Sequence, residues 1–136
     1  MRPLLTSTLI LCALAALASC APKKNTPLAD IPKLASLEDV MDNQATAADP
    51  LFRKIGQAHY DAAEIAAFVD AGTRLEATSQ RTTAFSKGPE FDALAIKLGE
   101  RAKALRMAAE AKNEAEISAS LGEMKAICKS CHSQFR

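Results

Sequence analysis

The C-terminal part of the chain repeats apolar or small side chains with the period of an α-helix. From Ile117 to Phe135 the spacing runs four, three, four, three and four residues. Such a stripe covers one face of a helix, and in water that face is stable only when it packs against other elements. The stripe consists of Ile117, Leu121, Met124, Cys128, Cys131 and Phe135.

Three further segments have helical periodicity, at about residues 36–57, 58–83 and 89–112. Pro50 lies inside the first and is expected to kink or divide it, whereas Pro89 is well placed as a first helical residue. Asn113, three residues before Glu116, resembles the cap that opens the fourth helix. Strand-like alternation does not occur after the N-terminal segments. The pattern predicts an all-α fold, an antiparallel up-and-down four-helix bundle.

The N-terminal residues are predicted to lie outside this bundle. Residues 1–19 combine a basic start, an apolar run and small residues, which is typical of an export signal. "LASC", ending at Cys20, resembles the bacterial lipobox and implies that Cys20 becomes the lipid-bearing first residue; ordinary cleavage nearby is the alternative. Residues 20–33 contain three prolines and are predicted to be an extended tether, with the bundle domain at 34–136.

The charge balance excludes one class of partner. Lys and Arg together number 17 and Asp and Glu 16, with no basic run and no interleaved aromatic residues. A near-neutral domain of this kind is not expected to bind nucleic acid.

The C-terminal stripe also carries a chemical motif, Cys128-Lys-Ser-Cys131-His132. On a helix these three side chains project from one side. C-x-x-C-H is typical of covalent haem attachment, in which two thiols form thioethers with the porphyrin and the adjacent imidazole binds the iron. The motif therefore favours one haem c held by Cys128 and Cys131, with His132 as the proximal ligand.

Three alternatives compete with haem attachment. A structural zinc ion needs four ligands, and the only other histidine, His59, is a poor fourth ligand. A redox dithiol normally opens a helix beside a strand, whereas this pair ends a helix, where the dipole disfavours a thiolate. A chance match is the third.

A four-helix bundle with C-x-x-C-H a few residues from its C-terminus resembles the class II cytochromes c, that is, cytochrome c′ and its low-spin relatives. The likeness covers about residues 34–136 and is strongest over "MKAICKSCHSQFR". It implies covalent haem, electron transfer or gas binding, and a bacterial periplasmic location. Relatives often form dimers, so a homodimer is possible.

The ligand on the other face of the iron separates the two functions that the resemblance implies. Helix 1 runs antiparallel to helix 4, so a sixth ligand should lie one or two turns into helix 1, where Met41 is found. Low-spin members place a methionine in helix 1, which supports Met41; a purely packing role is the alternative. The same geometry brings a set of apolar residues towards the ring as a haem pocket. They are Leu37, Phe85, Phe91 and Leu94.

Together these features predict a lipid-anchored periplasmic cytochrome, with the outer membrane slightly favoured. It would pass single electrons to redox partner proteins and would not be an enzyme. The alternative is a five-coordinate haem protein that binds nitric oxide or carbon monoxide.

Overall fold

The computed structural model describes residues 25–136. The predicted signal peptide, lipidated Cys20 and first residues of the tether lie outside the described residues. Within the described part every regular element is helical, and none of the helices is both long and apolar enough to cross a membrane. The four α-helices are α1 (Leu37–Ala48), α2 (Ala62–Thr83), α3 (Pro89–Glu110) and α4 (Glu114–Phe135).

The helix starts are set by local side-chain chemistry, and they confirm the predicted starts of α3 and α4. Asn113 accepts a hydrogen bond from the Glu116 amide, and Pro89 is the first residue of α3. Asp61 and Glu64 form a reciprocal capping box at the start of α2. The first amides of a helix have no partner within the helix. The side-chain caps accept hydrogen bonds from such amides, and Pro89 has no amide hydrogen to be paired.

Pro50 divides the first predicted segment, as expected. α1 ends at Ala48, and the chain continues as a short 3₁₀ helix, Leu51–Lys54. Proline has no amide hydrogen to extend α1 and clashes with the preceding turn. As a result α1 has 12 residues whereas each of the other three helices has 22.

The helices are packed unequally. α2 packs closely on α3, α3 on α4 and α1 on α2, whereas α1 makes little or no direct contact with α4. The α2–α3 approach is close because Gly72 has no side chain: a Cβ there would lie 2.8 Å from the Ala102 carbonyl oxygen and from the Arg106 Cβ. The bundle is therefore tight on the α2–α3 side and open between α1 and α4.

The prediction of an extended tether up to Lys33 is wrong for its last six residues. Leu28–Lys33 forms a 3₁₀ helix that packs on α2, and its Ile31 side chain is only 1% exposed. Two arginines of α2 hold the segment: Arg74 donates to the Thr26 carbonyl at 2.8 Å and Arg81 to the Leu34 carbonyl at 2.9 Å. Burial of one large apolar side chain and these charged donors outweigh the preference of prolines for an extended chain.

We expect Ile31→Ala to lower the free energy of unfolding by about 2–5 kcal/mol, because it leaves a cavity against α2. Leu28→Ala, on the same segment but at a side chain that is 42% exposed, should change it by less than about 0.5 kcal/mol. Urea denaturation of the haem-loaded protein measures both. Equal small effects would mean that this segment does not belong to the folded domain.

Candidate haem-binding site

Cys128 and Cys131 lie on successive turns near the C-terminal end of α4, and both are half-buried. They are not joined in a disulfide, and His132 beside them is exposed. The last turn of α4 is held by the loop before α3, because the Lys87 ammonium donates to the Phe135 carbonyl at 2.7 Å. Phe135 in turn packs edge-on against Phe91, with ring centroids 5.4 Å apart.

An apolar cavity of about 170 Å³ extends from the two cysteines into the bundle, between α4 and α1. Its lining includes the exposed residues Asp49, Lys129 and His132, the half-buried Met41, and the buried Leu75 of α2 and Leu98 of α3. Further lining residues are Gln44, Ala45, Ala48, Phe52, Thr82, Leu94, Ala95, Met124 and Ile127. The cavity exists because α1 and α4 do not close against each other.

A wider groove of about 650 Å³ lies along the same gap on its outer side. The cavity and the groove share Met41, Ala45, Asp49, Cys131 and His132, so they are two parts of one cleft. We call this the α1–α4 cleft. The groove is also lined by Leu37, Glu38, Asp42, Lys87, Phe91, Phe135 and Arg136.

The structure brings most of the residues predicted for the site to this cleft. Met41 and Leu37 reach it from α1, and Leu94 and Phe91 reach it from α3. Phe85 does not line the cleft. It follows the end of α2, where the Arg81 guanidinium stacks over its ring at 4.7 Å from the centroid. Helix lengths predict how far along the bundle Phe85 lies, but they do not predict which side of the bundle it faces.

Several lining residues had no predicted role in the site, and Gln44 is the most informative. Its buried amide donates to the Thr82 hydroxyl at 3.1 Å, which connects α1 to α2 one turn from Met41. Phe52, on the 3₁₀ helix after Pro50, also lines the cavity. The apolar period of α1 marks Ala45, Ala48 and Phe52 as inward-facing, and this was the available signal. Nothing in the sequence separated a cleft wall from ordinary core.

The electrostatics of the two thiols oppose redox dithiol chemistry. Burial, together with smaller effects of the charges of Cys131 and Asp49, raises the pKa of Cys128 to about 11. Burial also raises the pKa of Cys131, with Lys87 acting in the opposite direction. Reactive dithiols have a lowered pKa, because the thiolate is the attacking species. Both thiols are therefore neutral at neutral pH and behave as half-buried groups beside an apolar cavity.

The remaining candidate ligands are distributed along the bundle. His59 lies at its other end, where its Nδ1 is 2.6 Å from a Glu114 carboxylate oxygen at the start of α4. His132 is 18 residues further along that helix, about 27 Å at 1.5 Å per residue. Met107 is exposed on α3, and Met124 lines the cavity from α4 itself. Of these side chains, Met41 is the one that faces the cysteines from another helix.

The arrangement suits a porphyrin linked at its edge to α4. Two thiols one turn apart and an adjacent imidazole are the donor set for haem c, and the cleft beside them is walled by aliphatic and aromatic side chains. When bound, the haem would supply an iron centre. The two cysteines would hold it, His132 is placed to bind the iron, and the apolar walls of the cleft would keep water from it. The fold and the site therefore define a c-type cytochrome built on a helical bundle.

Comparison with known proteins leads to the same class. A model of the family described as "Cytochrome C′" matches residues 33–136. The chain belongs to this cytochrome c′ family, whose members bind one covalently attached haem c. A curated relative, cytochrome c′ of Pararhodospirillum photometricum, is 37% identical over 71 residues, which cover 52% of this chain and 57% of the relative. The chain thus matches little more than half of that relative's length. No solved structure matches it significantly.

Replacing both Cys128 and Cys131 with serine should abolish covalent retention of haem. We expect the unchanged exported protein to keep its visible colour through extraction with acidified organic solvent, and the double variant to lose it. Ser130→Ala, between the two cysteines, is the matched control and should retain colour. Haem that resists extraction from the double variant would show that another residue holds it.

Proposed function

We propose that the chain is a single-electron carrier with a six-coordinate haem iron, in which Met41 and His132 bind the iron from opposite faces of the haem. The observation that carries this proposal is the position of Met41. It lies on α1 and lines both parts of the α1–α4 cleft together with Cys131 and His132. A thioether opposite an imidazole gives a low-spin iron with a raised reduction potential, which suits electron transfer.

The surroundings of Met41 support a fixed ligand. α1 is attached to α2 by the buried Gln44–Thr82 hydrogen bond, and Asn43 accepts from the Thr26 amide at 3.2 Å. These bonds limit sliding of α1 along its neighbours. A ligand held at a constant distance needs little rearrangement when the iron changes its charge, and an apolar cleft limits the movement of water. We infer that the chain carries electrons and is not itself an enzyme.

Binding of nitric oxide or carbon monoxide is the second candidate function. It is favoured by the apolar cavity that Met41, Leu75 and Leu98 line together, since an apolar space next to the iron would admit a small diatomic molecule. In that case the thioether of Met41 packs in the cleft without binding the iron. The iron is then five-coordinate and open on one face.

Met41→Ala separates these two functions. If Met41 is a ligand, the oxidised native protein shows the weak far-red band of thioether-bound haem, and the variant loses it and becomes high-spin. The reduced variant should then bind carbon monoxide readily, whereas the native protein should bind it poorly. Visible absorption of both oxidation states measures these changes.

Met107→Ala is the matched control, because Met107 is exposed on α3. Its spectrum should equal that of the native protein. Met124→Leu keeps the cavity filled and should also leave the far-red band unchanged. A native protein that is already high-spin, or a Met41→Ala spectrum identical to it, would reject ligation by Met41 and favour the gas-binding function.

We further propose that the protein functions in the bacterial periplasm, anchored by lipid at Cys20, with the outer membrane slightly favoured over the inner membrane. Cytochrome c′ proteins are typically periplasmic. Two or three acyl chains at about 0.8 kcal/mol per buried CH₂ would hold the domain firmly to a bilayer. Because Thr26 and Leu34 are fastened to α2, the free linker would be shorter than the predicted tether and would keep the bundle close to the membrane.

Redox partner proteins are the proposed partners, and they would approach the groove side of the cleft. Its rim combines Lys87 and Arg136 with Glu38 and Asp42. The net charge of the chain is close to zero, so it would attract a partner only weakly as a whole. The positive and negative side chains of the rim would instead orient the partner through local charge pairs.

Lipid attachment is tested by intact-mass spectrometry of the protein from a membrane fraction. We expect residue 20 as the first residue, carrying acyl chains, and Cys20→Ala should yield protein without them. An unmodified N-terminus at another residue would contradict the anchor but not the haem chemistry.

A further inference from the structure

A second groove lies on the surface of the bundle, between α2 and α3, and has a volume of about 490 Å³. It is distinct from the haem site, because Ala95 is the one lining residue that it shares with the α1–α4 cleft. We call it the α2–α3 groove. Its lining includes Glu76, Ser79 and Thr83 of α2, and Asp92, Ile96 and Glu100 of α3.

A buried hydroxyl without a hydrogen-bond partner lies at this groove. Ser79 is only 2% exposed, and its Oγ makes no hydrogen bond with any residue in the described range 25–136. The four threonines of α2 differ from it, since each donates its hydroxyl hydrogen to a carbonyl three or four residues earlier in the helix. A buried hydroxyl without a partner is unfavourable, so Ser79 indicates a polar group bound in the groove.

Gly99 of α3 leaves the Ser79 hydroxyl open to the groove. A Cβ at position 99 would lie 3.2 Å from the Ser79 Cβ and 3.9 Å from its Oγ. Gly99 itself lines the groove. Because it has no side chain, the space over the hydroxyl is free for an atom of a ligand.

A second unpaired oxygen lies in the same groove, near the start of α3. The Oδ2 atom of Asp92 accepts a hydrogen bond from the Ser86 hydroxyl at 2.7 Å. The Oδ1 atom is buried and has no partner in the part of the chain that the structure describes. An ionised carboxylate only accepts hydrogen bonds, so a ligand at this oxygen must be a donor. A positively charged donor forms the strongest bond of this kind.

The side of α3 that lines the groove carries an apolar residue between two acidic ones. Asp92, Ile96 and Glu100 are spaced four residues apart and therefore form a row on one face of the helix. Ile96 is 57% exposed, and neither acidic residue forms an ion pair within residues 25–136. The two acidic positions are about 12 Å apart along the helix, at 1.5 Å per residue. Ser79 belongs to the Glu100 end, because it faces Gly99.

We propose that the α2–α3 groove binds a linear aliphatic diamine, a molecule with an ammonium group at each end of a methylene chain. One ammonium group donates to Asp92 Oδ1. The other donates to the Glu100 carboxylate and to the Ser79 hydroxyl. The methylene chain between them covers the exposed apolar side chain of Ile96.

The other charges at the groove favour a cation of limited length. Of the charged residues that line it, Glu76, Asp92 and Glu100 are acidic and Lys103 is basic, which attracts positive ligands. Glu76 contributes less than the other two acids, because the Arg106 guanidinium lies 3.7 Å from its carboxylate. Lys103 lies about one turn beyond Glu100 and would repel a third ammonium group there, so a diamine fits better than a longer polyamine.

Calorimetric titration of the haem-loaded exported protein with cadaverine, in a mild uncharged detergent, tests this proposal. Pentylamine has the same alkyl chain but only one ammonium group, and it should bind at least about tenfold more weakly. Asp92→Asn should weaken cadaverine binding at least about tenfold, because a buried charged acceptor is lost. Glu100→Gln should weaken it about threefold, since Glu100 is exposed to solvent.

Two matched controls separate the groove from general effects of substitution. Gly99→Ala fills the space over Ser79 and should weaken cadaverine binding at least about tenfold. Gly122→Ala on α4 makes the same change where a Cβ meets nothing within 4 Å, and it should leave binding unchanged. Glu90→Gln, at an exposed residue of α3 that does not line the groove, should also leave binding unchanged. Unchanged visible and far-ultraviolet spectra will show that each variant is folded.

The outcomes distinguish a built diamine site from other ways of binding an amine. A preference for cadaverine over pentylamine that is lost in Asp92→Asn and in Gly99→Ala supports the proposal. No binding up to about 10 mM cadaverine overturns it. Equal binding of the two amines, or binding that is insensitive to the Asp92 and Glu100 variants, also overturns it. A visible haem spectrum that changes with the titration would place the amine on the iron and would contradict the proposal as well.

Discussion

The gap between α1 and α4 is the feature on which the rest of the structure depends. In a four-helix bundle these two antiparallel helices would normally bury apolar faces against each other. Here α1 packs on α2, and Met41, Ala45 and Asp49 face Cys131 and His132 across a cleft. Leaving apolar side chains unburied is unfavourable, so the cleft is stable when an apolar group fills it. A haem joined covalently to α4 would be such a group.

Short-range chemistry around Pro50 contributes to the cleft. Because α1 stops at Ala48, the chain continues into the 3₁₀ helix and brings Phe52 into the wall of the cavity. α1 is short, with 12 residues, and a buried hydrogen bond from Gln44 to Thr82 holds it to α2. A second support comes from the Thr26 amide, which precedes the segment Leu28–Lys33 and donates to the Asn43 side chain of α1 at 3.2 Å. A haem ligated by Met41 would connect α1 to α4 and complete the ring of helix contacts.

The sequence predicted those parts of the structure that depend on near neighbours in the chain. Pro89, Asn113 and Glu116 act within one turn, so the starts of α3 and α4 could be read directly. The motif at Cys128, Cys131 and His132 is equally local. Ile31 was assigned to a tether because its burial depends on α2, whose Arg74 and Arg81 hold the flanking carbonyls from more than 40 residues away. Phe85 was predicted to line the pocket because helix lengths indicate how far along the bundle axis a residue lies. They do not indicate which side of the bundle its side chain faces.

The central claim is that one porphyrin is joined through both cysteines to the end of α4 and occupies the α1–α4 cleft. It is tested most directly by digesting the exported protein and analysing the C-terminal peptide by mass spectrometry after treatment with a thiol-alkylating reagent. The account predicts one haem bound to the peptide that contains Cys128 and Cys131, with neither cysteine alkylated. A haem-free peptide with both cysteines alkylated would contradict it.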